Sequence, residues 1–186
     1  MPIAAATVLT TILTAGEVAG AIGAISAVVP TNAKTVDAKY RSTVVVIENH
    51  TQFDIDPINE YFDSGRNYQG PKKIKSFSEG IFTAVNKDTS FMTGVSGGKS
   101  FTIGDKNGDL AQFSVGFSNP AIGARKVSVI NGDNPKLAYE LIEPTMARAT
   151  SSSYVGKDSK GNPINFKFKY TFIPGDVSVL TVTQTY

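Results

Sequence analysis

Residues 3–29 read IAAATVLTTILTAGEVAGAIGAISAVV. The run holds one charged side chain, Glu17, and no proline. As a helix it would be roughly 40 Å long against a hydrocarbon core of about 30 Å. At 100° per residue the apolar side chains fall into two stripes. Val8, Leu9, Ile12 and Leu13 share one; Val18, Ile22, Ile25 and Val29 share another on nearly the opposite side, with Gly16 at the junction. Thr7, Thr10, Thr11 and Thr14 form a hydroxyl face opposite the first stripe. Gly16, Gly20, Gly23, Ala24 and Ala27 form a small-residue face opposite the second, and Gly16–Gly20 has the GxxxG spacing of close helix contacts in lipid. Four readings fit: a signal peptide, a permanent anchor, a helix packed on the body, and a helix that packs first and enters a membrane later. The missing basic n-region and Glu17 weigh against a signal peptide. The mixture of Thr, Gly and apolar residues suits the fourth.

The rest of the chain is polar and strand-rich. Residues 31–41 (TNAKTVDAKYR) read as a linker or helix end. Residues 42–49 (STVVVIEN) read as a buried strand. In 52–62, Pro57 implies an edge strand or a break. Short strands are expected over 73–77, 80–86 and 90–95, the last ending at Ser96-Gly97-Gly98. Residues 99–104 and 109–117 form a hairpin around Asn107-Gly108. A strand over 124–130 precedes a helix over 136–142, capped by Asn134 with Pro135 at its first position. Strands over 151–156, 163–173 and 177–186 finish the chain. The expected fold is mainly β: an antiparallel β-sandwich of about ten strands flanked by two α-helices, the N-terminal one amphipathic and detachable. Residues 1–30 are the expected pore-forming helix and 31–186 the membrane-binding sandwich.

The 186 residues suffice for one domain with a core. A net charge of +2 is too small to argue for nucleic acid, and the absence of Cys excludes a disulfide scaffold. One histidine, His50, cannot build a metal site alone. Residues 104–109 lack the spacing of a calcium loop, and Gly97-Gly98-Lys99-Ser100 lacks the earlier glycine and following helix of a P-loop. Lys72, Lys73 and Lys75 read as a solvated basic patch. Nothing argues for an enzyme, a metal or a cofactor.

Several motifs together resemble the actinoporins, the pore-forming toxins of sea anemones, and their wider relatives. Tyr61-Phe62-Asp63-Ser64-Gly65 resembles their YFxSG stretch, and Thr93-Gly94-Val95-Ser96-Gly97 their TGAVG-like turn. Ala111 to Phe117 (AQFSVGF) resembles their FSVPY strand, and Tyr139-Glu140 stands where their second helix carries the same pair. The resemblance spans residues 3 to 185. It implies a secreted monomer that binds a target membrane, releases its N-terminal helix and homo-oligomerises into a pore. By carry-over, Ser64, Ser96, Ser114, Gly116 and Tyr139 match the family's phosphocholine positions. The chain departs from the pattern in having no Trp, a loop Ser118-Asn119-Pro120-Ala121-Ile122-Gly123-Ala124 in place of an aromatic one, and Glu143-Pro144 in place of helix-borne tyrosines. Met146-Ala147-Arg148 fills the place of the family's RGD. The phosphocholine site is thus largely missing and the head group is left open. Phe117, Ile122, Arg125, Lys126 and Tyr139 remain as candidates for membrane contact.

In such a pore Thr7, Thr10, Thr11, Thr14 and Glu17 would face the lumen. Facing water there would spare Glu17 most of an insertion cost of about 2.5–3.5 kcal/mol, and a ring of its copies would favour cations. Two alternatives stand beside this. In one, Glu17 only pairs with a lysine of the body. In the other, the sandwich is a lipid- or carbohydrate-binding module without pore activity, since fungal fruit-body lectins resemble the same sandwich without the helix.

Overall fold

The computed structural model describes residues 6–23, 41–87 and 93–186, with backbone only for residues 6–9. The fold is mainly β, as the sequence predicts. In chain order the elements are β1 (Ala6–Thr11), α1 (Ala15–Gly23), β2 (Ser42–His50), β3 (Asp54–Ser64), β4 (Arg66–Gln69), β5 (Ser78–Val85), β6 (Val95–Asp105) and β7 (Gly108–Asn119). They continue with β8 (Lys126–Asn131), α2 (Pro135–Glu140), β9 (Ala147–Thr150), β10 (Tyr154–Lys157), β11 (Pro163–Ile173) and β12 (Val177–Thr185).

The larger sheet runs β1-β10-β11-β12-β2-β5-β4, with β9 also on β11; the smaller runs β3-β6-β7-β8. Two pairs are parallel, β1 with β10 and β12 with β2, so the sandwich is not purely antiparallel. Aromatic rings fill the space between the sheets. On β11, Phe166, Phe168, Tyr170 and Phe172 alternate inward. Tyr170 stacks on Phe113 at 4.7 Å and Phe113 on Phe101 at 5.3 Å, while Phe53 stacks on Phe166 at 5.8 Å.

The N-terminal helix expected over residues 3–29 is corrected. Residues 6–11 form an edge strand, and the described helix is Ala15–Gly23 only. The cause is local. The Thr- and Val-containing run ATVLTT favours a strand over a helix. Thr14 and Glu17 then close a capping box: the Glu17 carboxylate accepts from the Thr14 amide at 2.7 Å, and the Glu17 amide donates to the Thr14 hydroxyl at 3.4 Å. The remainder of the predicted helix, residues 24–29, lies outside the described residues. The four threonines consequently share no helical face: Thr7, Thr10 and Thr11 belong to a strand and Thr14 to a cap.

Two other expectations change. Ser96-Gly97-Gly98 does not end a strand but lies inside β6. These glycines are there for close approach: a Cβ on Gly97 would overlap the Tyr61 carbonyl, and one on Gly98 the Pro135 carbonyl. The strand expected over 73–77 is only a bridge between Ile74 and Ile55. The Asn107-Gly108 hairpin is as predicted, with Gly108 at φ +133°. So is the start of the second helix, which begins one residue earlier than expected and ends two earlier, with Asn134 accepting from the Leu137 amide at 3.0 Å and Pro135 in its first turn.

Candidate functional site

Four strand ends and a loop gather at one end of the smaller sheet. The register places Ser64 of β3 beside Ser96 of β6, Ser96 beside Ser118 of β7, and Ser118 beside Lys126 of β8. Beyond this row the chain turns through residues 120–125, whose Ile122 is 88% exposed. Pro120 leads into the loop and Gly123 sits at φ +109°, a geometry open to glycine, so the tip is shaped by backbone rather than by packing. An open depression beside it is lined by Asn119, Gly123, Arg125, Pro144 and the turn 174–176. Further exposed apolar side chains flank these residues along the chain: Leu141 and Met146 on either side of Pro144, and Ile173 next to Pro174. Cations frame them. Arg125 pairs with Asp176, the Arg41 guanidinium donates to the Pro120 carbonyl at 3.4 Å, and Lys126 is exposed. An exposed apolar tip among basic groups is a surface that water tolerates poorly and an anionic interface tolerates well.

α2 lies over the outer face of the same sheet. It comes close because Gly98 and Gly116 leave room for the Pro135 and Ala138 carbonyls, and Ser128 donates to the Ala138 carbonyl. Beside it Tyr139 tilts against Tyr61, ring centres 5.8 Å apart. Its hydroxyl lies near Asp63 and Ser96, and Ser96 donates to Asp63 at 3.3 Å. Burial and the neighbouring Asp63 carboxylate push the Tyr139 phenol up, so it stays neutral and donating.

The carried-over residues divide accordingly. Ser64, Ser96 and Tyr139 come together near this end; Ser64 donates to the Gly94 carbonyl at 3.0 Å. Ser114 and Gly116 lie beneath α2 and serve the fold. Ser114 bonds Ser100, donates to the Gly132 carbonyl and accepts from the Asn134 amide at 2.8 Å. Phe117 faces the other way and is fully buried against Phe62 and Phe82, so it is core rather than surface. Ile122 and Lys126 are at the surface and Arg125 is half-buried.

The N-terminal segment is held on the far edge of the larger sheet. Ile12, 1% exposed, is its anchor, lying against Gly156 where any Cβ would collide with it. Backbone pairing of β1 with β10, continued by the Ile12 amide donating to the Lys157 carbonyl at 2.8 Å, and side-chain bonds do the rest. Gln52 accepts from the Leu13 amide and donates to the Thr11 carbonyl, both at 2.8 Å. Tyr186 donates to the Leu13 carbonyl, and Thr10 donates to Asp105 while accepting from Asn107 at 2.8 Å. Of α1 only Val18 is buried. No described helix is long and apolar enough to cross a membrane.

A second concave feature escaped the sequence reading. Lys99 points into the sandwich, is 1% exposed, and sits 5.0 Å above the Phe62 ring and 5.3 Å from that of Phe82. Its ammonium donates to Glu60 at 2.6 Å and to the side-chain Oδ1 of Asn67 at 2.7 Å. The signal lay in the alternation Val95, Gly97, Lys99, Phe101, Ile103, which puts the lysine on the core face.

No protein-family profile matches the chain, and no curated protein sequence does. Among solved structures it is similar to the lipid-binding protein Nakanori (10% identity, 78% of this chain and 71% of that one, TM-score 0.48). It is also similar to the RahU protein solved in complex with Tris (14%, 78% and 96%, TM-score 0.41). A third likeness is to the Xerocomus chrysenteron lectin XCL (12%, 77% and 99%, TM-score 0.37).

Proposed function

We propose that the chain binds a lipid membrane by the end that carries Ile122, and that its N-terminal segment then leaves the sandwich to build a pore with copies of itself. The observation that carries the first step is Ile122, 88% exposed on a glycine-shaped loop with Arg125 and Lys126 behind it. Its side chain enters the interface and the cations meet lipid phosphates. The second step draws on how the segment is attached. One apolar anchor, a short parallel pairing with β10 and a set of side-chain bonds hold it on a sheet edge, and α1 adds little burial of its own. In lipid, residues 6–11 would have to exchange strand for helix, because an unpaired strand leaves its amides unsatisfied there. In this reading the chain is secreted, catalyses nothing and acts as a homo-oligomer, with Glu17 and the threonines toward the lumen.

Sedimentation with liposomes of phosphatidylcholine alone or with added phosphatidylserine, followed by dye release, tests both steps. Binding is expected to rise with the anionic lipid and to drop with Ile122→Asp; wild-type binding with no dye release would leave the first step and remove the second. Glu17→Gln should lower the cation preference in planar bilayers, and an unchanged reversal potential would remove Glu17 from the lumen.

A second reading is favoured by the Tyr61–Asp63–Ser96–Tyr139 cluster. An aromatic pair beside a carboxylate and two hydroxyls suits a head group or a sugar, held without any pore. It predicts ligand binding that survives removal of residues 1–23.

A further inference from the structure

Between β3 and β4 the two sheets part and leave a cleft of about 290 Å³, lined by Pro57, Ile58, Glu60, Asn67, Pro71 and, at its floor, Lys99. We infer that this cleft binds one ring of a neutral sugar, with Glu60 and Asn67 bonding its hydroxyls and Pro57, Ile58 and Pro71 receiving its C–H face. Three observations lead there.

The floor is built from polar groups that a sandwich interior does not need. Lys99, Glu60 and Asn67 form a closed triangle. The ammonium donates to both partners, and the Asn67 amide donates to the same Glu60 oxygen at 2.7 Å. Burying such an ion pair brings no clear gain in stability over apolar residues. The triangle does fix the carboxylate and the amide in one orientation, which is what a polar binding site requires.

The charge balance selects the ligand. Lys99 and Glu60 neutralise each other, so an anion would meet the half-exposed Glu60 carboxylate and a cation would compete with Lys99. A neutral molecule rich in hydroxyls satisfies both: hydroxyls donate to Glu60 and accept from the amide. Burial pulls the Lys99 ammonium below its ordinary value, with Glu60 opposing, while the hydrogen bonds of Lys99 and Asn67 outweigh burial and hold Glu60 low. Glu60 is therefore an ionised acceptor at neutral pH.

The walls complete the match. Ile58 is exposed, and Pro57 and Pro71 are half-buried at the rim, so a flat apolar C–H face has somewhere to lie. The position is separate from the membrane end: Lys99 lies three residues along β6 from Ser96 and on the opposite face of the sheet.

The test uses the full chain and a panel of methyl pyranosides (glucose, galactose, mannose and N-acetylgalactosamine forms) with amide shifts read by NMR. At least one sugar is expected to shift Glu60, Asn67 and Lys99 saturably. Glu60→Gln should weaken that binding about tenfold or more. Because Glu60→Gln leaves Lys99 unpaired and could unfold the edge, Gly70→Leu serves as a second variant. A Cβ on Gly70 meets nothing closer than the Asn67 amide at 3.9 Å, so a larger side chain enters the cleft and leaves the triangle intact. It should abolish binding with an unchanged melting temperature. Shifts that persist in Gly70→Leu, or no shift at these residues with any sugar, overturn the inference. Liposome binding by Gly70→Leu should equal wild type, which separates this site from the membrane reading.

Discussion

α1 and α2 begin alike and are held differently. Each has a side-chain cap, Thr14 with Glu17 for one and Asn134 for the other. α2 is then seated by backbone shape: its Pro135 and Ala138 carbonyls lie where Gly98 and Gly116 have no Cβ. α1 buries only Val18, and the strand before it pairs along one edge with β10, across an irregular register, and is fastened by Ile12, Gln52, Asp105 and Tyr186. A helix fitted to a backbone saddle comes off only with the fold. A segment on a sheet edge, held by one interrupted ladder and separate side chains, can be loosened one contact at a time.

The largest effect that would test this contrast is at the saddle. Gly116→Val drives a side chain into the Ala138 carbonyl and should cost about 3 kcal/mol of global stability, lowering Tm by roughly 10 °C in calorimetry. A Tm within about 2 °C of wild type would break the comparison. Ile12→Ala leaves a cavity against Gly156 and should cost about 2 kcal/mol. The loss should fall on the N-terminal segment, as faster amide exchange at residues 10–13 with β6 and β7 unchanged; equal acceleration everywhere would show that the segment is part of the global unit. Tyr186→Phe removes one bond to the Leu13 carbonyl, for about 1 kcal/mol, and should raise the rate of limited proteolysis near Leu13 without moving Tm.

Acid should have the smallest effect. Burial raises the Asp105 carboxyl, but hydrogen bonds from the Thr10 hydroxyl and from Asn107 outweigh it and hold the group below the usual carboxylate value. A depressed folded value means that the unfolded chain takes up the proton first. The contribution is whole above about pH 4 and fades as pH falls through the folded value. Pepsin cleavage near residues 10–14 should therefore rise more steeply toward low pH in wild type than in Asp105→Asn.

Much of the body was legible because its signals are local. Asn107-Gly108 specifies its own hairpin, Asn134-Pro135 its own helix start, and the alternation in β11 its own inward face. The N-terminal segment was misjudged because composition outweighed a short motif: Thr14-Ala15-Gly16-Glu17 is a capping box, and it starts the helix at Ala15. Gly97 and Gly98 looked like a turn because what they make room for, the Tyr61 and Pro135 carbonyls, comes from elsewhere in the chain. Phe117 looked like a membrane contact because the loop that follows its strand is at the surface; its side of β7 faces Phe82. Lys99 reads in sequence as the start of a hairpin strand or as part of a phosphate-loop match, whereas its partners Glu60 and Asn67 lie 39 and 32 residues away.

The placement of β12 has a consequence for biosynthesis. It is the last strand in chain order, yet it fills the middle of the larger sheet between β11 and β2. Neither neighbour can be bridged until residues 177–185 have emerged from the ribosome, so the sheet closes late and through distant pairings. Tyr186, which fastens Leu13, emerges later still. During translation the apolar segment is thus made well before the strand and the tyrosine that secure it, an interval in which a chaperone would find it uncovered.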